Sequence, residues 1–169
     1  MYEYFLGIVK DCYKNKIIFE CNNLGYVMEG ANLEMLPLNT KVKLYIYFYQ
    51  KPTNQQFFGF DTKPKKTFFI HLLNVSSVGP KTALKLLNSL SLDSIKLAIS
   101  NQDCKILQQC KGITPKIANN IINYFSNQTK IIGSLENNQN DKSDLVFATL
   151  LKLGFSPAVI NNFLLKNVN

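Results

Sequence analysis

Residues 72–87 read LLNVSSVGPKTALKLL, and residues 107–122 read LQQCKGITPKIANNII. The two stretches match position for position at an offset of 35, that is 107 − 72. Each opens on leucine, has a polar residue in third place and an apolar one in fourth, then a tight turn, then Pro-Lys, with alanine three residues past the proline. An internal repeat of this kind is the strongest constraint in the chain, because each copy reads as helix, tight turn, helix. Gly79 and Gly112 allow a positive φ or a close backbone approach, and Pro80 and Pro115 sit in a first helical turn, where no amide donor is needed.

A tight turn feeding a helix start presents unpaired N–H groups and the positive end of the helix dipole, which together bind an anion such as a backbone phosphate. Lys81 and Lys116 follow directly. A nucleotide pocket is excluded by spacing. G-x-x-x-x-G-K-[ST] would put glycine at positions 75 and 80, which are Val75 and Pro80, and proline removes a donor where the loop should provide one. Any pair of helices can be joined by a Gly/Pro turn, so one copy would be weak evidence. Two matched copies with lysine at the same offset point to helix-hairpin-helix DNA binding. Contacts to phosphates carry no base identity, so the expected activity is recognition of DNA shape.

The net charge of +8 and pI near 9.3 agree with a polyanionic partner. Every basic residue is lysine, which suits point contacts to phosphate better than bidentate readout of bases. Cys12, Cys21, Cys104 and Cys110 form no C-x-x-C pair, and the single histidine, His71, lies in an apolar run; zinc, a disulfide framework and any other cofactor are not expected. With one histidine and no clustered carboxylates, general acid–base chemistry has little to work with, so the chain is expected not to be an enzyme by itself. No window is long and apolar enough for a membrane span, and the start MYEYFLGIVKD lacks the features of a signal peptide, so a cytoplasmic protein is expected.

Along the chain the pattern predicts an α+β multidomain architecture. Runs EYFLGIV, KIIFEC, YVME, KLYIYFY and QQFFGFD, separated by turn residues, predict a five-stranded OB-type β-barrel over 1–62. The period then becomes helical, and 63–130 is expected to be an all-α domain holding both hairpins, with Ser91 capping one of its helices. Residues 131–142, polar and rich in asparagine, read as a flexible linker. Over 143–169, Ser143 or Asp144 would cap a helix ending at Gly154, and Ser156-Pro157 would start another.

This order of parts, with FFGFD at 57–61, KTFFIHLLNVSSVGPKTAL, KGITPKIA and the tail run LLKLGFSPAVI, resembles the Holliday junction branch migration complex subunit RuvA family over essentially the whole chain. The resemblance implies a non-enzymatic subunit, homotetrameric or octameric, that holds a four-way junction open and recruits the hexameric ATPase RuvB for branch migration in recombination and repair. The RuvC resolvase is a further implied partner. DNA-contacting positions implied by the match are Val78, Gly79, Pro80, Lys81 and Lys85 in the first hairpin and Gly112, Ile113, Thr114 and Lys116 in the second. The small UBA-like tail domain, which lacks the family's third helix here, is expected to meet the motor through Leu150, Leu151, Phe155, Val159 and Phe163, some of which would instead pack on one another.

Several positions depart from the family. Ser77 and Thr114 stand where it has glycines, and Asn120 where a basic residue is common. At the turn between the last two strands the family carries an acidic pair that faces the junction centre, whereas Lys51, Pro52, Thr53 and Asn54 supply no carboxylate. A neutral or positive centre is expected to bind DNA more tightly or with less preference for junctions. Junction and plain-duplex affinities at matched salt check this: the ratio should fall below that of a relative with the acidic turn, and an equal ratio refutes it. Two other classes remain open on the residues alone. A helix-hairpin-helix nuclease or glycosylase would need clustered carboxylates or a lysine nucleophile beside an aspartate, but Asp93 and Asp103 are isolated. A general single-strand binder would use Tyr45, Tyr47, Phe48 and Tyr49 as stacking platforms, although their run looks more like strand alternation.

Overall fold

A computed structural model describes residues 2–14, 16–51, 54–134, 147, 150–157 and 159–160. The chain divides into two compact units, Met1–Lys66 and Thr67–Asn169.

The first unit is a closed barrel of five strands: β1 (Tyr4–Tyr13), β2 (Lys16–Cys21), β3 (Leu24–Gly30), β4 (Lys41–Lys51) and β5 (Asn54–Phe60). Neighbours run β1-β2-β3-β5-β4 and back to β1, all antiparallel except the parallel pair β3/β5, the connectivity of an OB-type barrel. Alternation along each strand decides which side chains enter the core. Val9, Ile17, Phe19, Met28, Leu44 and Ile46 point inward and are almost wholly buried, with Leu33 from a short 3-10 turn (Leu33–Met35) closing the cluster. Phe48 and Phe57 are directly opposite in the β4/β5 register, with ring centroids 4.7 Å apart, and they join Phe5 and Tyr26 in an aromatic group packed on that core. In β4, therefore, Ile46 and Phe48 face inward while Tyr45, Tyr47 and Tyr49 alternate to the half-buried outer side. Lys43 extends its ammonium over Tyr4 and Tyr45, at 4.0 and 5.0 Å from the ring centres.

The N-terminal strand is tied to the start of α1 (Lys63–Leu73) by Lys66, which is almost fully buried. Its Nζ donates to the Glu3 carboxylate at 2.7 Å and to the Glu3 and Tyr2 carbonyls at 3.2 and 3.4 Å. The hydrogen bond and charge of Lys66 hold the Glu3 carboxyl below its ordinary pKa.

The second unit is helical: the rest of α1, then α2 (Pro80–Ser89), α3 (Leu92–Ser100), α4 (Cys104–Gln108) and α5 (Pro115–Ser134). The sequence states why each helix starts where it does. Pro80 and Pro115 are the first residues of α2 and α5, Ser91 accepts a hydrogen bond from the Ser94 amide at 3.1 Å, and Asp103 accepts one from Lys105 at 2.9 Å. Phe68 of α1 stacks on Phe125 of α5, centroids 4.9 Å apart and planes within 7° of parallel. His71 lies half-buried, its Nδ1 3.4 Å from the Tyr124 hydroxyl, and burial lowers its pKa.

Candidate nucleic-acid interface

The repeat survives in three dimensions down to its backbone hydrogen bonds. Asn74 N–H to His71 O is matched by Gln109 to Ile106, Val75 to Leu72 by Cys110 to Leu107, Val78 to Val75 by Ile113 to Cys110, and Ala83 to Gly79 by Ala118 to Thr114. Each pair is separated by the sequence offset of the repeat. The apolar positions are matched as well: Leu72 and Leu107, Val78 and Ile113, Ala83 and Ala118, Leu86 and Ile121, Leu87 and Ile122 are all buried. The pattern seen in the sequence is thus two copies of one hairpin with one internal packing scheme.

This scheme decides which of the expected residues can reach DNA. Val78 and Ile113 are 6% exposed and their amides are taken by the carbonyls of Val75 and Cys110, so they shape the turns and have little left to give a ligand. Gly79, Lys81, Lys85, Gly112, Thr114 and Lys116 are exposed, and Pro80 is half-buried. In α2 the first bond to the cap is Ala83 N–H to Gly79 O at 2.9 Å, which leaves the amides of Lys81 and Thr82 without a backbone acceptor among the described residues. In α5 the equivalent amides are those of Lys116 and Ile117, and the second is claimed by the Thr114 hydroxyl at 3.3 Å. The first helix start is open; the second is partly capped by its own threonine.

The glycines also differ in what they do. Gly112 has φ +95°, and its repeat partner Ser77 takes φ +69°, so the left-handed residue of the turn is the one just before Val78 or Ile113 in both copies. Ser77 holds a conformation that costs an L-residue roughly 1–2 kcal/mol. Gly79, by contrast, has φ −101°, an ordinary value, and a Cβ placed on it would meet nothing within 4 Å. Of the two roles the glycines could fill, a positive φ belongs to Gly112 alone, and Gly79 leaves only room for a close approach to the backbone.

Charge is distributed just as unevenly. Among the described residues every ion pair falls within residues 3–66, so Lys81, Lys85, Lys111 and Lys116 stand exposed and uncompensated around the two turns. Clusters of three or more His, Cys, Asp or Glu able to hold a metal are absent among the described residues, and Asp103 is occupied as a helix cap.

Of the other expected sites, Lys51 and Asn54 face each other at the end of the β4/β5 hairpin, and Lys51 Nζ lies 5.5 Å over the Tyr49 ring; Pro52 and Thr53 lie outside the described residues. In the tail, Leu150, Phe155 and Ile160 form a buried cluster against which Phe147, Leu153 and Val159 pack. Leu150, Leu153, Phe155, Val159 and Ile160 line an apolar cavity with Ile99 and Phe125. Phe155 sits over the ammonium of the buried Lys96 at 5.6 Å, and burial lowers the pKa of that lysine. Of the residues expected to face a partner, Leu150 and Phe155 are thus spent on internal packing, Leu151 is 42% exposed, and Phe163 lies outside the described residues, as do Ser143 and Asp144.

A closed five-stranded barrel followed by paired, lysine-flanked helix starts defines a tandem helix-hairpin-helix protein of the nucleic-acid-binding class. Residues 1–59 match the family RuvA N terminal domain, and residues 69–126 match the SAM-like Helix-hairpin-helix tandem. The chain is similar to the Holliday junction branch migration complex subunit RuvA of Phytoplasma mali, 32% identical over 164 residues that cover 97% of this chain and 87% of that protein. It is likewise similar to the subunits of the same name from Finegoldia magna, 28% identical over 97% of this chain and 87% of that one, and Caldanaerobacter subterraneus subsp. tengcongensis, 36% identical over 72% and 67%. The chain belongs to the RuvA family.

Proposed function

We infer that the chain binds four-way DNA junctions by their shape, as the non-catalytic subunit of a branch migration complex whose ATPase is RuvB. The hairpins hold sugar-phosphate backbone at the starts of α2 and α5, through open amides and through Lys81 and Lys116. Neither a nuclease nor a single-strand binder is favoured: Asp103 is a helix cap, Asp93 belongs to no metal-binding cluster among the described residues, and the aromatic residues of β4 alternate between core and outer wall. The barrel would carry the subunit contacts of a homotetramer or octamer and place the turn at 51–54 at the junction centre. The tail would meet RuvB through its exposed side, Leu151 included, and RuvC would share the same junction. The setting is cytoplasmic; among the described residues no helix is long and apolar enough to cross a membrane.

The observation that carries this reading is the empty space at Gly79. The fold does not need glycine there, yet the missing side chain clears the approach to the amides of Lys81 and Thr82. Gly79→Ala is therefore expected to leave folding stability unchanged or raised by a few tenths of a kcal/mol, while weakening junction binding about tenfold, the loss of one charge-assisted hydrogen bond. Unchanged junction affinity in this variant would overturn the reading of that helix start. Native mass measurement with and without a synthetic four-way junction reads assembly and binding together: a tetramer, bound to junction, is the expected species.

A further inference from the structure

The 35-residue offset places Lys85 of α2 and Asn120 of α5 at equivalent positions. Each reaches the turn of the other hairpin. Lys85 Nζ stands 3.7 Å from where a Cβ of Gly112 would be, and Asn120 Nδ2 donates to the Ser76 carbonyl at 3.1 Å. Because the same crossing occurs twice, it follows from how the two copies pack and not from one side-chain rotamer.

The chemistry delivered by the two crossings is opposite. Asn120 is neutral, and its amide is spent on fastening the first turn. Lys85 is exposed and in no ion pair among the described residues, and its ammonium lies beside a glycine with no side chain to screen it. The turn it reaches is the one whose helix start has given the Ile117 amide to Thr114. Lys111 and Lys116 flank the same turn and are also exposed.

We propose that Lys85, although carried by the first hairpin, is a phosphate-binding residue of the second, so that the two hairpins grip DNA by different chemistry: open amides with Lys81 at the first, converging lysine charge at the second. The inference rests on the reading of both hairpins as phosphate grips. It makes the second grip the more salt-sensitive of the two, since point charges act by releasing counterions whereas backbone amides act by short-range geometry.

The test is a set of double-mutant cycles on the full chain with Lys81→Gln, Lys85→Gln and Lys116→Gln, reading four-way-junction affinity across a salt series. Lys85→Gln is expected to leave thermal unfolding unchanged and to reduce the slope of log K against log salt by about 0.9 for each subunit engaged, a readout that a merely structural lysine would not move. Its loss should be non-additive with Lys116→Gln, by more than about twofold in affinity, and additive with Lys81→Gln. Coupling to Lys81 in place of Lys116, or an unchanged salt slope, overturns the assignment of Lys85 while leaving the grips themselves in place. If Lys81→Gln and Lys116→Gln also leave affinity and slope unchanged, the phosphate-grip reading fails and the inference falls with it.

Discussion

Lys81→Glu combined with Lys116→Glu should lower four-way-junction affinity by on the order of 100-fold or more near physiological salt, with no loss of folded structure. Both lysines are exposed and neither is in an ion pair among the described residues, so the fold loses no partner when they change. Their place in the second position of α2 and α5 adds to the expected effect on binding. Glutamate there is favoured by the helix dipole, which keeps the variant folded, but it puts a negative charge where a phosphate would come and offers its carboxylate to the same amides. Each reversal removes one attraction and adds one repulsion, and a 100-fold change needs only about 2.7 kcal/mol across the two sites. The neutral pair Lys81→Gln/Lys116→Gln should separate charge from competition, flattening the salt dependence by about 1.8 per engaged subunit without the repulsion. Circular dichroism and thermal unfolding establish that each variant is folded. Junction affinity within twofold of the starting protein in the folded double reversal would remove the hairpins from the binding account.

Much of this site was legible because the repeat writes the same instruction twice. Proline at the first position of a helix, an alanine small enough to be buried, and lysine between them all have local causes, and Pro80, Ala83, Pro115 and Ala118 occupy the places expected of them. The strands were legible for a similar reason: KLYIYFY alternates, and Leu44, Ile46 and Phe48 turn inward together. What could not be read was anything settled between the copies. Glycine occurs once in each turn but at different positions, so only the backbone tells that 77 and 112 are the left-handed pair and that 79 is free of that demand. In the sequence Asn120 is only a departure from a family position where a basic residue is common. In the folded chain the residue fastens Ser76, a role visible only when the two hairpins face each other. The tail poses the same difficulty: helical spacing makes Leu150, Leu151 and Phe155 apolar candidates alike, and packing alone sends Leu150 and Phe155 inward while Leu151 stays out.

Gly7→Val should cost the barrel about 3 kcal/mol or more, enough to leave a domain at the low end of ordinary stability marginal. In the run EYFLGIV this glycine looks like an unremarked strand residue, and nothing nearby demands a turn. In the barrel its face of β1 is pressed against β2: a Cβ there would collide with the backbone carbonyl oxygen of Glu20 and stand 2.7 Å from Cε1 of the wholly buried Phe19. The phenyl ring cannot step aside in a packed core without displacing its neighbours. The carbonyl cannot move without pulling apart the β1/β2 pairing, in which Glu20 lies opposite Ile8. Gly25 on β3 supplies the control, because a Cβ there finds its nearest neighbour, Cγ2 of Ile18, at a comfortable 3.8 Å; Gly25→Ala should change stability by no more than about 0.5 kcal/mol. Urea unfolding followed by tyrosine fluorescence, in a chain without tryptophan, measures both variants. The contrast separates two explanations of strand glycines. If residue type alone weakened the sheet, both substitutions would stabilise it; if close backbone approach is what closes the barrel, only the substitution at Gly7 destroys it.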